Sequence, residues 1–185
     1  MVKAILSEAE GKMKSSISVL EEDLQGIRTG RASTGLVEKL LVEYYGAPTP
    51  LNQLASLSVP DAHTIAIKPF DRNTVGDIER AIMVSDIGLS PNSDGTLIRL
   101  NIPPLTQERR RDLVKQVHRR IEDAKVSVRN IRRHAIEEVR EYEKEKLISE
   151  DESKQGQDDV QKLTDKYIEK VDEIGKRKEA EIMDF

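Results

Sequence analysis

Residues 109–133, RRRDLVKQVHRRIEDAKVSVRNIRR, carry ten Lys/Arg against three Asp/Glu, a local net charge of +7 in a 185-residue chain whose formal net charge is −4. Eight of the ten cations are arginines. A guanidinium is a planar fork that can meet two phosphate oxygens at once. Such a cluster in an otherwise acidic chain points to a phosphate-backbone contact surface, for which a structured RNA is the natural partner. The competing reading is a solvated helix face neutralised by Glu and Asp of neighbouring helices. Salt-bridge lacing of that kind favours alternating signs, which this segment does not supply. None of the two Phe and four Tyr falls within it, so stacking on unpaired bases is not its main mode.

Other chemistry finds little support. The three histidines are His63, His118 and His134. On one straight helix His118 and His134 would be about 24 Å apart, too far to share a metal or a proton. His63 lies in the turn-like PDAHT, and each of the three reads as a surface histidine. There is no Cys, hence no disulfide, thiolate nucleophile or cysteine metal site. No phosphate-cradling glycine loop and no H-E-x-x-H is present. The expectation is a protein with no catalytic residue, no metal and no cofactor. A hydrolase hidden in the middle of the chain has no residue constellation in its favour. No apolar run approaches the roughly 20 residues that span a bilayer. MVKAILSEAEGKMK does not read as a signal or transit peptide, so a cytoplasmic setting away from membranes is expected.

The elements that must carry the basic strip follow from periodicity. Leu6, Ala9, Met13, Ile17, Leu20, Leu24 and Ile27 recur every three or four residues, predicting a first helix of about 27 residues that stops at Thr29-Gly30. Leu113, Val117, Ile121, Ala124, Val128, Ile131, Ala135, Val139 and Tyr142 form a heptad-like seam within a predicted helix over 106–146. Arg111, Lys115, Arg119, Lys125, Arg129 and Arg133 fall together on a flank of that helix, away from the seam, with Arg132 at the seam's edge. Ser149 and Glu152 have the spacing of a capping box that starts a third helix. Val160, Leu163, Tyr167, Val171 and Ile174 continue the seam there, and the polar stretch around Gly156 reads as that helix's weakest part.

Between the first and second helices all seven Pro lie at 48–104 and seven of the ten Gly at 26–95. Short β-branched runs bounded by these breakers predict strands. TVGDIERAIMVSD, with Val75, Ile78 and Ile82 on one side, predicts a single helix among them. The fold class is α+β: a long antiparallel three-helix bundle (residues 1–30 plus 105–185) with a small β/α/β domain inserted (31–104). The two connecting segments, Thr29-Gly30-Arg31 and Ile102-Pro103-Pro104, should lie side by side and make a hinge. A bundle that buries its own seams should be monomeric; a scaffold that pairs its seams with another helix should dimerise.

Several stretches together resemble the bacterial ribosome recycling factors: IRTGRAS at 27–33, VEYYGAPTPLNQLAS at 42–56, SDIGLSPNSDG at 85–95, IRLNIPPLTQERRRDLVK at 98–115, AKVSVRNIRR at 124–133 and QKLTDKYIEKVDEI at 161–174. The resemblance runs in order over essentially the whole length, departing at Thr34, where the family usually has Pro. It implies an L-shaped two-domain molecule, similar in outline to transfer RNA. It further implies a non-enzymatic factor that, with elongation factor G and its GTP hydrolysis, splits post-termination ribosomes into subunits. The bundle would bind ribosomal RNA of the large subunit and elongation factor G would push the smaller domain. By matching positions Arg129, Arg132 and Arg133 are the implied RNA contacts. Arg28, Arg31, Arg109 and Arg110 are implied as further contacts or elbow-stabilising residues, and Arg111 of the basic strip joins the expected RNA-binding set.

Overall fold

The computed structural model describes residues 1–27 and 29–184 of the chain. It divides into two compact units, one formed by Met1–Arg28 with Thr106–Phe185, the other by Thr29–Leu105. Arg28 lies outside the described residues.

The first unit is three helices: α1 (Val2–Gln25), α4 (Gln107–Lys144) and α5 (Glu150–Met183). Contacts pair rising numbers on α4 with falling numbers on α1 and α5, as in Ser127 with Ser16 and Arg120 with Asp23, so α4 is antiparallel to both. Each helix narrows to one apolar stripe, and the stripes close on one another. Met13, Val128 and Tyr167 form a layer exposed by 1% or less, while Ile5, Ala9, Ala135, Val139 and Val160 form another. Burial of such side chains stabilises by about 1.5–3 kcal/mol each relative to exposure. In α1 the stripe centres on Ile5 rather than Leu6, which is half-buried, as is Ile17. The helix also ends at Gln25, earlier than the Thr29-Gly30 stop expected from periodicity.

Side chains cap the starts of both long helices, at Ser149 as the spacing predicts. Thr106 Oγ1 accepts from Arg109 N at 3.1 Å to start α4. Ser149 and Glu152 make both bonds of a capping box to start α5. Gly156, read from the sequence as a weak point, is instead buried in a continuous helix; a Cβ there would stand 3.0 Å from Val2 Cγ1 and 3.3 Å from Val139 Cγ1. At Gly175 the approach is closer still, 2.8 Å to Ile121 Cγ1 and Cδ1. Helix propensity argues against these glycines, and close helix packing explains them.

The second unit holds β1 (Leu41–Tyr44), β2 (Ala47–Pro50), the single turn α2 (Leu51–Leu54), β3 (Ala55–Asp61), β4 (Thr64–Pro69), α3 (Val75–Val84), β5 (Pro91–Ser93) and β6 (Ile98–Asn101). All strand pairs are antiparallel: β1 with β2, and a four-stranded sheet in the order β3-β4-β6-β5. β6 alternates, with Ile98 and Leu100 buried and Arg99 and Asn101 exposed. Val75, Ile78 and Ile82 of α3 join Ile65, Ile67, Ile98 and Leu100 in one core, as the spacing predicts. Tyr45 and Gly46 turn β1 into β2 with φ of 48° and 79°, the positive values a two-residue hairpin turn of this hand requires.

Candidate nucleic-acid interface

α4 is 38 residues long and lies between its two partners, so its exposed surface is divided into flanks. Taking Val117 as the buried centre, Arg111 and Arg129 both project about 120° to one side at 100° per residue. Lys115 and Arg133 project about 160° to that side, and Arg119 lies close to the rear of the helix. This is the flank shared with α5. Lys125 Nζ lies 2.7 Å from Asp172 Oδ1 and His118 Nε2 lies 3.2 Å from Glu179 Oε2. Arg109 projects about 80° to the opposite, α1-facing side, where Arg120 Nη1 is 4.0 Å from Asp23 Oδ2. Arg109 and Arg111 are near neighbours in sequence, but their side chains leave α4 on different flanks.

Five cations of the α5-side strip, Arg111, Lys115, Arg119, Arg129 and Arg133, are exposed. Among the described residues no carboxylate lies within 4.0 Å of any of them. Lys125 is the exception within the strip: its side chain is only 17% exposed and it pairs with Asp172 and, at 3.9 Å, Glu122. Neutralisation by neighbouring helices therefore accounts for Lys125 but not for the rest. Unpaired guanidinium groups in water are ready to meet an anionic polymer without first breaking an internal bond. Arg129 and Arg133 stand one helical turn apart; Arg111 stands five turns, about 27 Å, from Arg129 on the same face.

Arg132 is placed differently. It is half-buried, and its Nη1 donates to Gln161 Oε1 at 3.4 Å. Gln161 Nε2 in turn donates to Asp165 Oδ1 at 2.9 Å. The relay holds the Arg132 guanidinium across to α5. Gln161 and Asp165 were not singled out from the sequence; their i, i+4 spacing on α5 is the only signal that could have marked them.

The structure corrects one member of the expected RNA-binding set. Arg110 is 3% exposed and its Nη1 donates to the carbonyl oxygen of Ile182, near the end of α5. A guanidinium held there cannot face a partner; it ties the start of α4 to the end of α5. Its wheel position, about 20° from Val117 and three residues before Leu113, is the signal that could have marked it as facing the seam.

The connecting segments converge inside the small unit. Gly30 has φ 79°, and a Cβ on it would stand 3.0 Å from Leu105 Cγ, so the incoming and outgoing chains touch. Thr29 is 9% exposed, Arg31 is exposed, Ile102 is half-buried and Pro103 and Pro104 are exposed. Ala32 N donates to Ala62 O and Ile102 N to His63 O. All six residues expected in the hinge, Thr29, Gly30, Arg31, Ile102, Pro103 and Pro104, fall within the compact unit Thr29–Leu105.

Charge elsewhere in the bundle is used internally. Tyr167 is 1% exposed and its hydroxyl donates to Glu10 Oε1 at 3.0 Å. That bond is the main cause of Glu10 lying below the ordinary carboxylate range, with Lys14 adding to it; burial is the main cause of the Tyr167 hydroxyl being pushed up. Among the described residues no group of three or more His, Asp or Glu is arranged to hold a metal ion. No described helix is long and apolar enough to cross a membrane.

Residues 20–183 match the family model described as ribosome recycling factor. The chain is 53% identical over 184 residues to the ribosome-recycling factor of Heliobacterium modesticaldum and 52% identical over 184 residues to that of Syntrophomonas wolfei, covering 100% of both chains in each case. A solution structure of a ribosome recycling factor superposes with a TM-score of 0.74 at 44% identity, covering 100% of this chain and 98% of that one. A second match, with a TM-score of 0.63 at 44% identity and 99% coverage of both, comes from models for the T. thermophilus ribosome recycling factor and the E. coli elongation factor G bound to the E. coli post-termination complex.

Proposed function

The chain belongs to the ribosome recycling factor family, and from that premise we propose that its helical unit grips ribosomal RNA of the large subunit through Arg129, Arg132 and Arg133, with Arg111 extending the contact. It is a non-enzymatic translation factor that acts in ribosome recycling. Together with elongation factor G and its GTP hydrolysis it splits the post-termination ribosome into subunits, freeing them from the messenger for another round of translation. The observation that carries the reading is the strip of exposed, carboxylate-free cations on one flank of α4. Phosphate contacts of this kind position a protein without demanding a base sequence.

The mechanism is a lever. The bundle anchors on RNA while the unit Thr29–Leu105 receives the push of elongation factor G and swings about its two connections to the helices. Because Gly30, Ala32 and Ile102 are tied within that unit, the swing is taken up beyond them, around Thr29 and at Pro103, Pro104 and Leu105. Arg31 and Arg109 lie near these connections in sequence and serve the elbow or its RNA contacts rather than the α5-side strip. The factor works as a monomer in the cytoplasm.

Sedimentation with large subunits at rising salt tests the anchor: binding should fall steeply with salt. A GTP-dependent splitting assay on post-termination ribosomes, with and without the protein, tests the outcome. A cross-link joining the two connections should leave binding intact and impair splitting; full-rate splitting with the cross-link in place would remove the lever.

A further inference from the structure

The turn between β3 and β4 touches both chains that connect the small unit to the helices. Ala62 O accepts from Ala32 N at 2.8 Å, and His63 O accepts from Ile102 N at 2.7 Å. The His63 ring adds a third tie, its Nδ1 lying 3.2 Å from Gly30 O. A carbonyl oxygen has no proton to give, so in this bond Nδ1 is the donor. The ring is half-buried. Its backbone N–H donates to Asp61 Oδ1 at 2.9 Å, closing the turn and holding the Asp61 carboxyl below its ordinary value. Gly30, the acceptor, is itself constrained by a positive φ and by Leu105.

We propose that His63 is a positioning residue for ribosome splitting: a latch that ties the Gly30 carbonyl to the β3–β4 turn, so that both connections leave the small unit from one fixed point. The proposal rests on the lever reading given above. These two connections carry a push on the small unit along the chain to the helices, and any slack in them absorbs displacement. The backbone bonds at Ala32 and Ile102 fix each chain once. The bond to Gly30 O fixes the incoming chain two residues nearer the helices, where Gly30 packs on Leu105 of the outgoing chain. With the latch made, the two connections start together and swing as a pair. Without it the segment from Gly30 to Arg31 can bend independently.

Two substitutions separate the bond from the bulk of the ring. Asparagine places an amide nitrogen close to the position of Nδ1 and can still donate to Gly30 O; glutamine carries its amide farther out, nearer Nε2. In the full-length chain His63→Gln should slow splitting with elongation factor G and GTP by about three- to tenfold, the worth of one hydrogen bond. It should speed amide exchange at Ala32 by a similar factor and leave affinity for the large subunit unchanged. His63→Asn should restore both rates. The ring nitrogens of the unsubstituted chain give an independent reading by 15N resonance, which should show a proton on Nδ1. Wild-type splitting and exchange in His63→Gln, equal loss in His63→Asn, or an Nδ1 without its proton would each overturn the latch. If the unsubstituted protein itself fails to split ribosomes, the lever reading falls, and the latch with it; that result is distinct because it needs no substitution at His63.

Discussion

Removing Arg129 and Arg133 together is the sharpest test of the basic flank. Both are exposed and neither has a carboxylate within 4.0 Å among the described residues. Replacing them with alanine therefore breaks no internal ion pair, and alanine is the best helix former. The fold should be unchanged, so any loss of binding reports the contact itself. A hydrogen bond to a charged group contributes about 1.5–3 kcal/mol. Two of them come to about 3 kcal/mol or more, a rise in Kd of roughly a hundredfold. Each phosphate neutralised also contributes about 0.7–0.9 to the slope of log K against log salt, so the double variant should lose about 1.4–1.8 from that slope. Titration of large subunits at several salt concentrations measures both quantities. Lys125→Ala serves as the control, since Lys125 is occupied by Asp172. An unchanged slope in the double variant, or an equal change in the Lys125 control, would refute the assignment of RNA contact to the α5-side flank.

Further outcomes follow from the same geometry. Arg110→Ala should lower stability by about 2 kcal/mol, by stranding the buried carbonyl of Ile182, and should leave the salt slope of binding untouched; urea unfolding and the binding titration together check this. Gly175→Ala should destabilise by about 1–2 kcal/mol, because overpacking against Ile121 outweighs the gain in helix propensity, whereas Gly156→Ala should be close to neutral; thermal unfolding of the two variants compares them. The Asp94 carboxyl accepts from the backbone N–H groups of Thr96 and Leu97 and from the Thr96 hydroxyl, which lowers its pKa from 3.8 to about 2. Because the folded value is the lower one, its stabilising contribution is complete above the unfolded value and fades as pH falls from about 4 towards 2. Carboxyl resonances followed through an acid titration should place the Asp94 midpoint near 2; a midpoint near 4 would contradict the turn geometry.

The parts legible in the sequence are those that depend on local order. The seam through Val117, Ile121, Ala124 and Val128 appears as a period because one helix meets its partners along one line. Ser149 and Glu152 announce α5 because a cap is made within four residues. Val75, Ile78 and Ile82 mark the buried side of α3 for the same reason. Legibility stops where a residue's surroundings come from elsewhere in the chain. Arg110 falls on the seam side of the wheel, but its acceptor, the Ile182 carbonyl, comes from 72 positions later and has no local signal. Gly156 reads as a helix weakness until Val2 and Val139 are seen against it. His63 reads as a surface turn residue until Gly30, 33 positions earlier, supplies its acceptor. For the basic strip the wheel alone separated Arg129 and Arg133 from the seam. It could not show that Lys125 would be consumed by Asp172 or that Gln161 would steer Arg132.

The contact between Gly30 and Leu105 bears also on how the bundle assembles. α4 and α5 are joined by a short turn and can zip together locally, but α1 is separated from both by the whole insertion Thr29–Leu105. Closing an unstructured loop of that length would cost about 4 kcal/mol in chain entropy. Once the insertion has folded, its two ends are neighbours and that cost has already been met. The small unit is then a clip in the covalent chain, delivering α1 to the α4–α5 hairpin at high effective concentration. Docking of the first helix becomes coupled to the folding of a unit that lies outside the bundle in sequence.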